Sequence, residues 1–315
     1  MYRFLLLIAA LLPFQFALNP WSGADLPVGR VLIALAGLVW ISAALFGRRV
    51  IGGGSVGLFL VLLGGSIFIS GAVAIDPVRY GRKLLFLLGF FPFFFFVLYC
   101  LRSAGQVRKF LEVSVLSGAA AALAGVIFSF AQFYYGADRL LSFWSDFIAP
   151  IFLGKNLAQM VSGYSSAFVA VGGENYLRAA AFFPDPHIFS FYAEMLLPPA
   201  AALAWLSRGR KKTLFAGATG AFLLAVALTF TRGAYVAVVV SFLIWGLWIW
   251  RKKIDLRQAV RFGALFLLLV TIVRLSPVGE RFLAISPQAD SSISERWEIW
   301  RQALDLIAAN PLSGV

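Results

Sequence analysis

Long apolar runs, separated by short charged or Gly/Pro-bearing breaks, recur along most of this 315-residue chain. A helix needs about 20 residues to cross a bilayer, and in lipid every backbone polar group must find a partner within the protein. The ten-residue alternating pattern of a membrane β-barrel is absent. The runs therefore predict an all-α, polytopic transmembrane bundle of about nine spans, at roughly 3–18, 31–47, 56–75, 84–101, 110–135, 188–206, 213–230, 234–250 and 260–275.

The composition excludes an ordinary soluble domain. Hydrophobic residues make up 61% of the chain, charged residues only 13%, and the mean hydropathy is +0.88. Cys100 is the only cysteine, so an internal disulfide is excluded. The net charge of +13 fits membrane topology and attraction to anionic lipids, and does not imply a nucleic-acid partner.

The distribution of Lys and Arg predicts the orientation, because cytoplasmic loops are enriched in these residues. With the N-terminus inside, the densest clusters all fall on the cytoplasmic side, including 208–212 and 251–261. The segment 156–173 is apolar enough to be a tenth span, but that crossing would turn the 208–212 cluster outward. We therefore expect 136–187 to form one long outer connection, with 1–275 as the transmembrane domain.

Beyond the predicted ninth span the composition becomes polar, and 276–315 is expected to begin a large outer loop. Ser292-Ile293-Ser294-Glu295 resembles a capping box, and Asn310-Pro311 is a helix stop. Between them apolar residues recur at helical spacing, which predicts an amphipathic helix lying on the membrane or against the bundle. The chain ends just after this helix, so we expect the loop to be incomplete.

The stretch LRAAAFFPDPHIFSFYAEM at 177–195 carries the densest group of ionisable residues in an apolar context. Such side chains are costly in lipid and persist mainly where they line a site or pathway. Arg178, Asp185, His187 and Glu194 are therefore candidate site residues. The alternative interpretation is structural: Arg178 anchors at the interface and Asp185-Pro186 caps a helix.

Further cations lie on the predicted outer side, where the orientation rule gives no reason for them. Arg232 follows span seven, and Arg82 and Lys83 begin span four. Guanidinium groups bind phosphate oxygens in a bidentate manner, so a lipid-linked phosphate or diphosphate is the natural partner. Lipid headgroups or helix carbonyls are the alternative partners. Because nucleotide-binding and metal-ligand motifs are absent, we expect no metal and no other cofactor.

Three segments in order resemble the O-antigen ligase and O-antigen polymerase superfamily of bacterial membrane glycosyltransferases. They are Arg178 with FFPDPHIFSFYAEM, LTFTRGAYVAV at 228–238, and ERWEIWRQALDLIAANPLSGV at 295–315. In that family one arginine precedes an Asn-Pro-Asn or Asp-Pro-Asn turn, here 185–187. A second arginine lies in Ser-Arg-Gly-Ala, here 231–234 with threonine for serine.

The resemblance implies an inner-membrane enzyme that transfers an oligo- or polysaccharide from an undecaprenyl diphosphate-linked donor. The acceptor would be a hydroxyl of lipid A core or of another glycan, on the periplasmic side; ligase and polymerase are not distinguished. By this resemblance Arg178 and Arg232 would hold the diphosphate. The residues themselves, rather than the resemblance, make Arg82, Lys83, Asp185 and Glu194 further candidate substrate-binding residues. Asp185, His187 and Glu194 are the candidates for deprotonating the acceptor, and His187 is included among the catalytic residues.

The family usually carries a functional histidine further along the outer loop, and the sequence ends before it. Two other function classes stay open. A transporter or flippase of lipid-linked sugars would show broken helices in an inverted repeat, which the sequence does not display. A purely structural membrane subunit would account for the spans but not for Arg178 and Arg232.

Overall fold

The architecture was examined in a computed structural model, which describes residues 1–21, 24–47, 54–163, 165–171, 173–251 and 291–311. The helices are α1 (Tyr2–Leu11), α2 (Val28–Phe46), α3 (Gly54–Ser70), α4 (Pro77–Cys100), α5 (Ala104–Tyr135), α6 (Ala137–Phe143), α7 (Ala149–Phe152), α8 (Lys155–Ser162), α9 (Pro186–Leu206), α10 (Gly209–Leu228), α11 (Arg232–Arg251) and α12 (Ser291–Ala309). A π-helical turn, Trp144–Ile148, joins α6 to α7. Two antiparallel hairpins complete the described part: β1 (Ala17–Trp21) with β2 (Ala24–Pro27), and β3 (Phe168–Val171) with β4 (Glu174–Leu177).

The prediction of an all-α polytopic membrane protein is confirmed. Among the described residues six helices are long and apolar enough to cross a membrane, judged by length and composition: Val28–Phe46, Gly54–Val73, Pro77–Cys100, Ala104–Tyr135, Pro186–Leu206 and Gly209–Leu228. Shorter apolar helices cover Tyr2–Phe14 and Arg232–Ile244. The predicted span at 260–275 lies outside the described residues, so the count of nine stays a prediction.

The first predicted span, 3–18, is wrong at its C-terminal end. Helix α1 ends at Leu11 and continues only as a 3₁₀ turn to Phe14. Pro13 lies in that turn, and Gln15 adopts a left-handed backbone with φ 52°. Both features stop an α-helix, and Leu18 consequently belongs to strand β1.

The contacts divide the chain into two compact units. The first comprises Met1–Ile8, Arg30–Val107 and Ile285–Val315. Within it, Asp76 caps α4 by accepting from the backbone N–H groups of Val78 (3.1 Å) and Arg79 (3.0 Å). Helix α12 also belongs to this unit, and its described apolar side chains, such as Trp297 and Trp300, are exposed. The predicted amphipathic helix is therefore present, and the boundary of the loop at 276 stays a prediction.

The second unit, Ala9–Gly29 and Arg108–Ala284, contains the main core. Helices α9 and α10 pack against each other and against α5, whose small residues allow close approach. A Cβ at Gly118 would collide with Leu196, and one at Gly125 would lie 3.1 Å from Phe189. The apolar core of this unit surrounds the polar residues considered below.

The predicted connection at 136–187 contains short helices followed by a hairpin. The described part of the segment considered as a tenth span holds α8, of eight residues, and a 3₁₀ turn, Ser165–Ala167, before strands β3 and β4 pair antiparallel. Neither element is long enough to cross a bilayer. The interpretation of this region as one connection is therefore consistent with the structure.

The first hairpin is fastened to α8 by an acidic cap. The Asp25 carboxylate accepts from the Leu157 backbone N–H (2.7 Å) and from Nδ2 of Asn156 (3.1 Å). Gly154, just before the helix, has φ +91°, and a Cβ there would collide with the Asp25 carboxyl. Only glycine combines this backbone conformation with this close approach.

We expect Asp25→Ala to lower the thermal unfolding midpoint of the detergent-solubilised protein, because loss of an N-cap costs about 0.5–2 kcal/mol. Gly154→Ala should lower the midpoint at least as much, because the strain of its left-handed backbone adds to the collision of the new Cβ with Asp25. The exposed Asp138 provides the matched control, and Asp138→Ala should leave the midpoint unchanged. Equal midpoints for Asp25→Ala and the control would contradict this account of the cap.

Candidate functional site

Arg178 lies directly after strand β4, where a buried glutamine side chain fixes the backbone. Gln132 of α5 accepts from the Leu177 N–H (2.6 Å) and donates to the Leu177 carbonyl (3.0 Å). The Arg178 N–H then donates to the Ala167 carbonyl (2.9 Å). The chain therefore reaches Arg178 in a fixed conformation.

The Arg178 side chain is 5% exposed and donates three hydrogen bonds to the protein. Nε donates to the Thr229 carbonyl (2.6 Å), and one terminal nitrogen donates to Thr231 Oγ1 (3.1 Å). The other terminal nitrogen donates to the Ser166 carbonyl (2.9 Å). Such charge-assisted bonds offset the cost of burying a guanidinium group.

Thr229 and Thr231 belong to the tight turn between α10 and α11. Phe230, between them, has φ 50°, a left-handed conformation that costs a non-glycine residue about 1–3 kcal/mol. The Ala179 N–H donates to the Leu228 carbonyl (2.9 Å), so backbone as well as side chain ties this turn to the Arg178 segment. Arg232 follows as the first residue of α11 and is half-buried.

Asp185 is the N-cap of α9, which is the structural role weighed in the sequence interpretation. One oxygen accepts from the His187 N–H (2.6 Å), and the other accepts from Ser166 Oγ (2.9 Å). Ser166 therefore contacts both predicted residues: its hydroxyl binds Asp185 and its carbonyl binds Arg178. His187 lies half-buried in the first turn of α9.

Glu194 lies two turns beyond His187 on the same helix, about 10 Å further along the axis. Its Oε1 atom is buried and has no hydrogen-bond partner in the part of the chain that the structure describes. Arg82 and Lys83 belong to the other compact unit, where both side chains are exposed near the start of α4. The binding roles of these three residues stay predictions.

A small cavity of about 30 Å³ lies beside Arg178. Its lining is mainly apolar, with Phe128, Trp144 and Pro186 among its walls, and Ser166 and Arg178 contribute the polar surface.

Metal-binding groups are not seen in the described residues, which contain no cluster of three His, Cys, Asp or Glu side chains able to hold an ion.

Residues 217–315 match the family model described as O-antigen ligase. This part of the chain is similar to O-antigen ligases. The match includes the Thr229–Arg232 turn and α12, whereas Arg178 and His187 lie before it. No match was found among curated proteins or among solved structures.

This match confirms the resemblance to the O-antigen ligase superfamily seen in the sequence. It supports a multi-pass membrane glycosyltransferase of the ligase and polymerase type in general terms. The family match alone does not identify the donor or the acceptor.

Sequence reasoning missed Gln132, Ser166, Thr229 and Thr231. A signal was available for Gln132, because an uncharged amide near the end of an otherwise apolar span must find a partner. The threonines flank Phe230 and precede Arg232, but their contacts with Arg178 are more than 50 residues distant in sequence and have no local signature.

Gln132→Leu should lower the thermal unfolding midpoint clearly. The change leaves the N–H and C=O of Leu177 buried and unpaired, at a cost of about 1–3 kcal/mol for each group. Differential scanning fluorimetry in detergent measures the effect, with Gln302→Leu on the exposed face of α12 as control. A wild-type midpoint for Gln132→Leu would contradict the anchoring role.

Proposed function

We propose that this protein transfers an oligo- or polysaccharide from an undecaprenyl diphosphate-linked donor to an acceptor hydroxyl at the periplasmic face of the inner membrane. The observation that carries the proposal is the junction of the two predicted arginine segments. Arg178 contacts the Thr229–Thr231 turn directly, and Arg232 follows that turn inside the O-antigen ligase match.

The position of Arg232 suits a diphosphate. It stands at the N-terminus of α11, where backbone N–H groups and the helix dipole favour negative charge. A guanidinium group adds a bidentate donor pair for phosphate oxygens. The half-buried setting strengthens these contacts relative to water while leaving a path for the ligand.

The proposed reaction requires charge stabilisation on one side and proton removal on the other. The acceptor oxygen bonds to the anomeric carbon as the bond to the diphosphate breaks, and the diphosphate leaves with the bonding electrons. Arg232, supported by Arg178, stabilises this leaving group. The hydroxyl proton passes to a general base, for which His187 is our candidate because Asp185 is engaged as a helix cap.

The length of α10 and the charges at its N-terminal end support the proposed orientation. Its 20 residues extend about 30 Å, the thickness of the hydrocarbon core. At its N-terminal end, Lys211 lies 3.6 Å from Glu112, which also pairs with Arg108 (3.2 Å). Lys and Arg outnumber acidic residues there, so this end is assigned to the cytoplasm and the Arg232 turn to the periplasm.

Reconstitution separates the proposal from its main rival. Proteoliposomes would receive a radiolabelled undecaprenyl diphosphate-linked oligosaccharide and a lipid A core or glycan acceptor. The proposal expects label covalently attached to the acceptor and release of undecaprenyl diphosphate. Movement of intact donor across the bilayer without a change in bonding would identify a transporter and overturn the proposal.

Arg232→Ala should weaken binding of undecaprenyl diphosphate by about ten- to a hundredfold, since a hydrogen bond involving a charged group contributes about 1.5–3 kcal/mol. Arg232→Lys should restore only part of the affinity, because lysine keeps the charge but lacks the fork. Arg139→Ala, at an exposed arginine of the 136–187 connection, is the matched control. Binding in nanodiscs measures all three, and equal affinities would exclude Arg232 from the donor site.

A further inference from the structure

We infer that Arg178 is a positioning residue, whose guanidinium fixes the Thr229–Thr231 turn and thereby sets the direction in which Arg232 is presented to the donor. This inference rests on the proposed function and refines it. The sequence interpretation gave both arginines the same task of holding a diphosphate. The contacts favour two different tasks.

The first argument is the strained backbone between the two threonines. Phe230 has φ 50°, and its side chain is buried in the core of the second unit. Arg178 donates to the carbonyl of the residue before Phe230 and to the hydroxyl of the residue after it. The guanidinium therefore brackets the strained residue, which is where an external restraint is needed to keep the conformation.

The second argument is the difference in exposure between the two arginines. Arg178 is 5% exposed and directs three donors to protein oxygens, whereas Arg232 is half-buried. A diphosphate could reach Arg178 as its main ligand only by displacing bonds that hold the turn.

The third argument is that the same guanidinium reaches the cap of α9. Ser166 accepts from Arg178 through its carbonyl and donates to Asp185 through its hydroxyl. Asp185 in turn accepts from the His187 N–H. One planar, five-donor group thus connects the segment before α9 with the segment before α11, which a lysine could not do.

Thr231 is the partner of Arg178 whose substitution tests the positioning role most directly. Thr231→Val keeps the shape of the side chain but removes the hydroxyl that accepts from Arg178. Thr231→Ser keeps that hydroxyl. If Arg178 acts through the turn, the valine variant should reproduce part of the Arg178 phenotype and the serine variant should not.

Hydrogen exchange of the full chain in nanodiscs, without any donor, tests the structural step. Thr231→Val should raise exchange of the amides at 229–235 by about tenfold, the usual effect of losing one such bond, and Arg178→Gln, which removes three bonds, should raise it further. Arg178→Lys should fall between these variants and wild type. Arg139→Ala, at an exposed arginine of α6, should leave exchange at 229–235 unchanged.

Donor affinity supplies the second readout, in a double-mutant cycle between Arg178→Lys and Thr231→Val. Positioning predicts clear coupling: the double variant should bind undecaprenyl diphosphate no more than about twofold more weakly than the weaker single variant. Fully additive losses, together with wild-type exchange at 229–235, would make Arg178 a direct ligand and overturn the inference.

The two readouts keep the inference separate from the proposed function. If the variants show raised exchange but the wild-type chain binds no donor, the functional proposal is wrong. The claim that the turn takes part in donor binding is then wrong as well. Donor binding with unchanged exchange in Thr231→Val would leave the functional proposal intact and overturn the positioning role. Thr231→Val removes the bond from Arg178 and a longer bond from Thr231 Oγ1 to the Thr229 carbonyl (3.4 Å), but leaves the guanidinium in place, so it remains informative where Arg178→Gln fails to fold.

Discussion

A buried positive charge must be paired, and the pairing of Arg178 organises the polar end of this helical bundle. Arg178 is 5% exposed, and its guanidinium lies among protein oxygens of two separate segments. Removing such a group from water without partners would be prohibitive, so the oxygens of Ser166, Thr229 and Thr231 must be held where the charge needs them. The requirement fixes the turn before α11 and, through Ser166, the cap of α9.

The apolar packing below this end makes the arrangement rigid. Small residues of α5 admit Phe189 and Leu196 of α9, and α10 packs along the same helix. The Gln132 side chain of α5 forms hydrogen bonds with the backbone of Leu177, the last residue of the strand before Arg178. The packing of α5, α9 and α10 therefore positions the turn that precedes Arg232.

The sequence predicted those features that depend on residues close together in the chain. Apolar runs predicted the spanning helices, since a bilayer demands long uninterrupted stretches, and Asp185-Pro186 indicated the start of α9 because caps have a short-range signature. The first span was overextended because Gln15 adopts a left-handed backbone that the residue type alone does not indicate. Arg178 and the 228–238 segment were recognised as partners by resemblance, but the contacts of Arg178 with Thr229 and Thr231 arise from tertiary packing. No pattern within a window of a few residues encodes them.

The central claim is that the turn carrying Arg232 binds the diphosphate of a lipid-linked sugar. A cryo-electron microscopy structure in nanodiscs with undecaprenyl diphosphate-linked oligosaccharide bound would test it most directly. The account predicts phosphate oxygens within about 4 Å of the Arg232 guanidinium, at the N-terminus of α11, while Arg178 keeps its bonds to Thr229 and Thr231. A diphosphate bound elsewhere in the protein, with no contact to Arg232, would contradict it.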